Sequence, residues 1–147
     1  YMMEKENLTP EMTNNILNKK SGISAIANMA PDFREIEIAS SSNERAKLAI
    51  EIFTKTVAQF IAKYAVIMGG IDSIVFTGGI GENQINIRKL ICDYLEFMGV
   101  QIDNALNEVK GEEREITTKS SKIKAYIIPT NEELVIARDT MNLTKNN

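Results

Sequence analysis

The chain of 147 residues is 44% hydrophobic and 25% charged, and its 17 basic and 20 acidic side chains give a net charge of −3. This composition is typical of one globular domain and lacks the basic surface that binds nucleic acid, so nucleic acid is not an expected partner. Because the sequence has no histidine and one cysteine, it excludes an internal disulfide, Cys/His zinc sites and histidine-dependent catalytic triads.

The apolar stretches and the N-terminal residues argue against a membrane or secreted protein. Lys63, Asp72 and Glu82 interrupt the apolar stretches, so none reaches the ~20 residues that a membrane-spanning helix needs. Residues 1–7 lack the apolar core of a secretory signal. Together with a single cysteine, these features predict a cytoplasmic location.

The first half of the chain predicts two helices. Threonine followed by proline is typical of a helix start, which predicts a helix over residues 9–20. Residues 21–31 are small, uncharged and aperiodic, which predicts a loop. Across residues 42–68 apolar side chains recur at spacings of three and four, which predicts one long amphipathic helix. The glycines at 69 and 70 are expected to end it.

The second half predicts a strand, a glycine loop and a helix in that order. Residues 72–77 contain a β-branched and aromatic run that suits a buried strand. The segment 78–83, Gly-Gly-Ile-Gly-Glu-Asn, follows directly and is expected to form a loop. Residues 84–98 then have a helical apolar pattern closed by Gly99, and Cys92 on its apolar stripe is predicted to be an inert core residue.

The sequence of residues 100–147 predicts minor strands, a second core strand and a last helix. Residues 100–121 contain a charged stretch that is expected to form a solvated turn between minor strands. Residues 122–128 suit a core strand, 130–133 form a capping box that begins the final helix, and 144–147 are expected to fray. The predicted fold class is α/β, a small sheet with packed helices and a right-handed crossover if the core strands are parallel.

The glycine segment is the most informative local feature. Glycines at 78, 79 and 81 let the backbone turn sharply and let its amides approach a ligand, while the next helix offers free N–H groups and a positive dipole end to an anion. It is not a Walker loop, and Gln84 stands where a dinucleotide fingerprint has its last glycine. From the residues alone, a phosphate site and a tight turn without a ligand both remain open.

Two further motifs each allow two interpretations. Phe33 and Arg34 suit the two sides of a flat nucleobase, and Asp32 suits a hydroxyl group. A helix start followed by a core phenylalanine explains the same residues and is favoured. Glu132 and Glu133 fit the first turn of the final helix, where carboxylates stabilise the dipole. The capping role assigned to Glu133 leaves Glu132 free to reach a magnesium ion through water.

Three longer sequence blocks occur in a distinctive order. They are Val75-Phe76-Thr77-Gly78-Gly79-Ile80-Gly81-Glu82-Asn83, Leu95-Glu96-Phe97-Met98-Gly99 and Ile128-Pro129-Thr130-Asn131-Glu132-Glu133-Leu134-Val135-Ile136-Ala137-Arg138-Asp139-Thr140. In this order they resemble the C-terminal part of the acetate kinase family, and shorter matches at 8–12, 17–22 and 43–46 extend the similarity over nearly the whole chain. The resemblance implies part of the ribonuclease H-like, actin-like ATPase fold, in which two related α/β domains close on a nucleotide.

The resemblance also implies a nucleotide site for ATP or ADP with Mg²⁺. By it, Asp32, Phe33 and Arg34 correspond to the segment that lines the adenosine pocket, Gly79, Ile80, Gly81, Glu82 and Asn83 to the loop that receives the nucleotide, and Glu132 to the magnesium-associated glutamate. The family's reaction is reversible phosphoryl transfer between ATP and acetate, which gives acetyl phosphate. Such a transfer depends mostly on holding the phosphoryl group in line and neutralising its charge.

The family's substrate-side residues are expected outside this sequence. In the family they include an asparagine, arginines, an aspartate and a histidine on an N-terminal portion, and this sequence contains no histidine. We therefore expect residues 1–147 to be a C-terminal nucleotide-binding segment that is inactive alone. One alternative is a non-enzymatic module that forms a homodimer, since family members meet largely through this portion. Another is the same segment of a propionate or butyrate kinase, because the carboxylate pocket is expected in the missing portion.

Overall fold

A computed structural model describes residues 1–145, and the chain divides into two compact units, Tyr1–Lys63 and Tyr64–Asn147. The helices in the described part are α1 Met2–Lys5, α2 Pro10–Lys19, α3 Gly22–Ala27, α4 Phe33–Ala39, α5 Glu44–Met68, α6 Gly78–Asn83, α7 Ile85–Tyr94, α8 Asn104–Asn107 and α9 Glu132–Lys145. The strands are β1 Ser73–Phe76, β2 Arg114–Glu115 and β3 Lys124–Ile127. The helix α5 continues from the first unit into the second.

Local signals place α2 and α5 where the sequence predicts them. The Thr9 hydroxyl accepts a hydrogen bond from the Met12 amide at 3.2 Å, which caps α2. The helix α5 ends at Gly69 and Gly70, whose φ angles of +75° and +135° suit glycine. Within residues 1–145 no helix, the 25-residue α5 included, combines the length and the apolar character needed to cross a membrane.

The helix α3 corrects the prediction of a loop between residues 21 and 31. Asn28 ends α3 in the left-handed conformation. The Arg45 guanidinium donates to the carbonyl oxygens of Ile26 at 2.9 Å and Ala25 at 3.2 Å, so the last carbonyls of this short helix have partners. A contact between residues about twenty positions apart leaves no trace in local periodicity, which is why the pattern missed α3.

The second unit contains a three-stranded sheet in the order β1-β3-β2. β1 pairs with β3 in parallel, from Ser73 opposite Lys124 to Phe76 opposite Ile127, and β2 pairs with β3 in the antiparallel sense. Every second residue of β1 and β3 is buried, as a strand with one covered face requires. The α/β prediction and both predicted core strands are confirmed.

Three features of the second unit differ from the predictions. The predicted helix over 84–98 divides into α7 and a short 3₁₀ turn at Glu96–Met98, and Gly99 closes that turn with a φ of +97°. The helix α8 is an additional element within 100–121, capped by the Asp103 carboxylate. Thr144 and Lys145, which were predicted to fray, form the last residues of α9, whereas 146–147 lie outside the described residues.

Burial at the end of β3 predicts a sharp contrast between the last residue of the strand, Ile127, and the residue that follows it, Ile128. Ile127 has no exposed surface and Ile128 is 42% exposed. We expect Ile127→Ala to reduce the free energy of unfolding by about 2–5 kcal/mol, because it leaves a cavity under the sheet. Ile128→Ala, the matched control, should cost at most about 1 kcal/mol. Urea unfolding of both variants measures the difference, and equal losses would contradict this account of the core.

Candidate functional site

The glycine segment directly follows β1 and forms the helix α6 rather than the predicted loop. Gly81 packs against the end of β1, where an added Cβ would lie 3.1 Å from the Phe76 carbonyl carbon. Gly79 is exposed, and an added Cβ there would have no atom within 4 Å. The two glycines therefore differ: Gly81 permits close packing of α6 on the strand, whereas Gly79 leaves the backbone open to solvent.

The Glu82 carboxylate links the start of α6 to the segment before α9. Its Oε1 accepts hydrogen bonds from the Gly78 amide at 2.8 Å, the Thr130 amide at 2.9 Å and the Thr130 hydroxyl at 3.1 Å. The Thr130 amide, followed by the Gly78 amide and the Thr130 hydroxyl, holds the pKa of Glu82 below its ordinary range. Thr130 lies between β3 and α9, so one carboxylate connects the segments that follow both core strands.

The start of α9 corrects the predicted capping box. Asn131 caps the helix, since its Oδ1 accepts from the Leu134 amide at 3.0 Å. The hydroxyl of Thr130, predicted as the cap with Glu133 as its partner, is bonded to Glu82 instead. The sequence signal indicated the right helix start but the wrong capping residue.

Glu132 is the first residue of α9, and it is exposed. Two virtual bonds of 3.8 Å separate its Cα from that of Thr130, so it lies within about 7.6 Å of the residue that Glu82 holds. Within residues 1–145 no three His, Cys, Asp or Glu side chains are grouped to hold a metal ion. An exposed carboxylate of this kind fits Mg²⁺ that keeps most of its water and phosphate ligands.

A buried arginine lies behind α6. The guanidinium of Arg88, on α7, donates from Nη1 to the carbonyl oxygens of Gly81 and Glu82, both at 3.0 Å. Its other nitrogens bond Asn107 Oδ1 at 2.8 Å, the Asn107 carbonyl at 2.9 Å and the Val109 carbonyl at 2.8 Å. Sequence reasoning missed Arg88, although its place on the apolar stripe of α7 was a usable signal.

Asp32, Phe33 and Arg34 lie in the first unit, whereas 79–83 and Glu132 lie in the second. Asp32 caps α4 by accepting from the amides of Arg34 and Glu35, and the Arg34 side chain is the main cause of its lowered pKa. The Phe33 ring contacts the Phe53 ring edge to face, with centroids 4.8 Å apart. The predicted helix start is confirmed, but Phe33 is half-buried and does not belong to the buried core. A role for these residues in binding adenosine stays a prediction.

A separate cavity of about 340 Å³ lies in the second unit, and none of the predicted site residues lines it. The ion-paired side chains of Lys89 and Asp93 line it, together with Cys92. Cys92 is buried, and burial raises the pKa of its thiol to about 12. The prediction of a core cysteine is therefore confirmed, and the protonated thiol is a poor nucleophile at neutral pH.

Comparison with known proteins gives consistent results. The model of the acetokinase family matches residues 1–138. The acetate kinase of Treponema denticola is 49% identical over 146 residues, which cover 99% of this chain and 37% of that protein. The acetate kinase of Moorella thermoacetica is 42% identical over 146 residues, with the same two coverages.

Solved structures show the same likeness. The crystal structure of Porphyromonas gingivalis acetate kinase superposes with a TM-score of 0.87 and 41% identity, covering 97% of this chain and 36% of that one. A propionate kinase from Francisella tularensis gives a TM-score of 0.82 at 41% identity, with 93% and 35% covered. The chain thus spans little more than a third of the length of these relatives.

The lowered pKa of Glu82 predicts a pH-dependent stability. A carboxyl group whose pKa is lower in the folded chain contributes stability above its ordinary value of 4.5, and the contribution is lost as the pH falls through the folded value. We expect the wild type to be more stable than Glu82→Gln at neutral pH, and the difference to fade between about pH 5 and about pH 2.

Urea unfolding at several pH values measures this difference. Glu113→Gln, at an exposed position before β2, controls for the general effect of removing one negative charge and should give a smaller difference at neutral pH. A difference between wild type and Glu82→Gln that stays constant down to about pH 2 would contradict a role for the ionised carboxylate.

Proposed function

The chain belongs to the acetokinase family, and we propose that it is the nucleotide-binding C-terminal part of an acetate kinase, which transfers a phosphoryl group between ATP and acetate. The observation that carries the proposal is the open backbone at Gly79, where nothing lies within 4 Å of an added Cβ. A phosphate or ribose can approach main chain closely only where no side chain intervenes.

In this proposal Glu82 and Glu132 have different roles at the site. The Glu82 carboxylate accepts hydrogen bonds from Gly78 and Thr130. Its role in the proposal is therefore to hold these segments together, and not to bind the ligand. Glu132 would hold Mg²⁺ through its bound waters, and the ion would neutralise phosphate charge during transfer. A separate proposal concerns the first unit alone, in which Phe33 and the exposed Arg34 are the residues proposed to contact the adenosine.

The proposal assigns the carboxylate site to the remainder of a longer enzyme. The chain aligns with 37% of the length of the Treponema denticola acetate kinase. Every residue of α9 is exposed, including apolar side chains at Leu134, Val135, Ile136, Met141 and Leu143. A helix whose apolar side chains all face solvent is typical of a surface that contacts further protein. The acceptor is acetate or another short carboxylate. Propionate, the substrate class named for the similar Francisella tularensis kinase, and butyrate are the alternatives.

An activity assay tests the division into two parts. We expect the chain with MgATP and acetate to release ADP with a kcat below ~1 s⁻¹, under the usual range for enzymes, because the proposal places the acceptor site in the remainder of the enzyme. A coupled ADP-release assay measures this, with a full-length acetate kinase as the positive control. Turnover above ~1 s⁻¹ would contradict the proposal.

Calorimetry with MgADP tests the nucleotide site itself. Gly79→Val should abolish the binding heat while the thermal unfolding midpoint is retained, because the new side chain enters open space. Gly81→Val is the matched comparison: it should lower the midpoint, since its Cβ would lie 3.1 Å from the Phe76 backbone. Binding to Gly79→Val as tight as to wild type would contradict a nucleotide site at this position.

A non-enzymatic homodimer is the second candidate function. Apolar side chains at the end of α5, Val66, Ile67 and Met68, are exposed in addition to those of α9. Exposed apolar patches of this kind often mark an interface between subunits. A dimer whose fraction rises with concentration, in a chain that gives no heat with millimolar MgADP, would favour this function over nucleotide binding.

A further inference from the structure

Arg88 is a buried cation whose hydrogen bonds all go to neutral groups. It has no exposed surface, and its five bonds go to four main-chain carbonyls and the Asn107 side-chain amide oxygen. Among the residues that the structure describes, no carboxylate forms an ion pair with it. Burial is the main cause that lowers the pKa of Arg88. Burying a charge without an ionic partner costs free energy of folding. An arginine at this position therefore needs an explanation beyond packing.

Two of the hydrogen bonds of Arg88 hold the C-terminal end of α6. The carbonyls of Gly81 and Glu82, which Nη1 binds, lie in the last turn of that helix, where a cation also complements the helix dipole. The Glu82 carbonyl accepts a further bond from the Gly111 amide at 3.1 Å. Asn107 adds a second tie, since its side-chain nitrogen donates to the Ile85 carbonyl at 3.0 Å.

Glu82 is therefore held from both directions. Its main-chain carbonyl is fixed by Arg88 and Gly111, while its side chain holds the amides of Gly78 and Thr130. A shift of the carbonyl end of α6 would move the Glu82 carboxylate, and with it the open backbone at Gly79 and the start of α9. The rigidity of the site depends on groups that do not face the ligand.

We infer that Arg88 is a positioning residue for nucleotide binding: it fixes α6 from behind so that Gly79 and the Glu82–Thr130 link keep their arrangement. This inference rests on the proposed function. A lysine keeps the charge but presents a single nitrogen with three donors, so it cannot reach the five acceptors that the planar guanidinium bonds.

The test compares Arg88→Lys with Arg114→Lys, the same change at a partly exposed arginine that pairs with Glu112. Amide hydrogen exchange is followed at two groups of positions, at temperatures where both variants are folded. The first group is the amides of Gln84, which bonds the Ile80 carbonyl, and Thr130. The second is the sheet amides of Lys124 and Ile128.

In Arg88→Lys we expect exchange of the first group to accelerate at least about 10-fold, exchange of the second group to stay unchanged, and the Kd for MgADP to rise at least about 10-fold. Arg114→Lys should change none of the three. If Arg88→Lys does not fold, Asn107→Ala replaces it, since it removes one acceptor of Arg88 and the tie to Ile85. The same pattern is then expected at about 3-fold.

Three results would overturn the inference: unchanged exchange at Gln84 and Thr130, equal acceleration in both groups, or local acceleration with an unchanged Kd. Equal acceleration would show a role in global stability only. Failure of the proposed function looks different, because the wild type itself would then give no heat with MgADP. In that case selective acceleration would still show that Arg88 orders α6, while its role in nucleotide binding would be overturned.

Discussion

The parallel pairing of β1 with β3 is the constraint on which the site depends. Parallel neighbours end at the same edge of a sheet, so the segments that follow Phe76 and Ile127 emerge side by side. The first becomes α6 and the second leads through Thr130 into α9. The Glu82 carboxylate then spans the short gap between them, a contact between residues 48 positions apart in sequence.

Elements with strong local signals were predictable from the sequence. The long apolar periodicity gave α5, paired glycines gave its end, and β-branched runs gave both core strands. Elements held by distant contacts were not: α3 depends on Arg45, and α6 has three glycines among its six residues, a composition that disfavours helix. Arg88 and Glu82 supply the tertiary bonds that outweigh this propensity.

The candidate site shows the same division. The order of the three sequence blocks led to the correct family, and the segment 78–83 was recognised because glycines directly after a strand are a local signal. The different roles of Gly79 and Gly81 were not visible, since they depend on where the Phe76 backbone lies in space. Threonine is a common helix N-cap, which is why the sequence indicated Thr130 as the cap of α9. In the structure the Thr130 hydroxyl bonds the Glu82 carboxylate, and Asn131 caps the helix.

The buried state of Cys92 has a practical consequence for studying this chain in solution. Its thiol is shielded and stays protonated at neutral pH, so maleimide reagents, which are attacked by thiolates, will leave it unmodified while the chain is folded. A cysteine introduced at an exposed position, such as Val135 on α9, would then be the one labelled group. A fluorophore attached there can report on the surroundings of α9 without removal of the native cysteine.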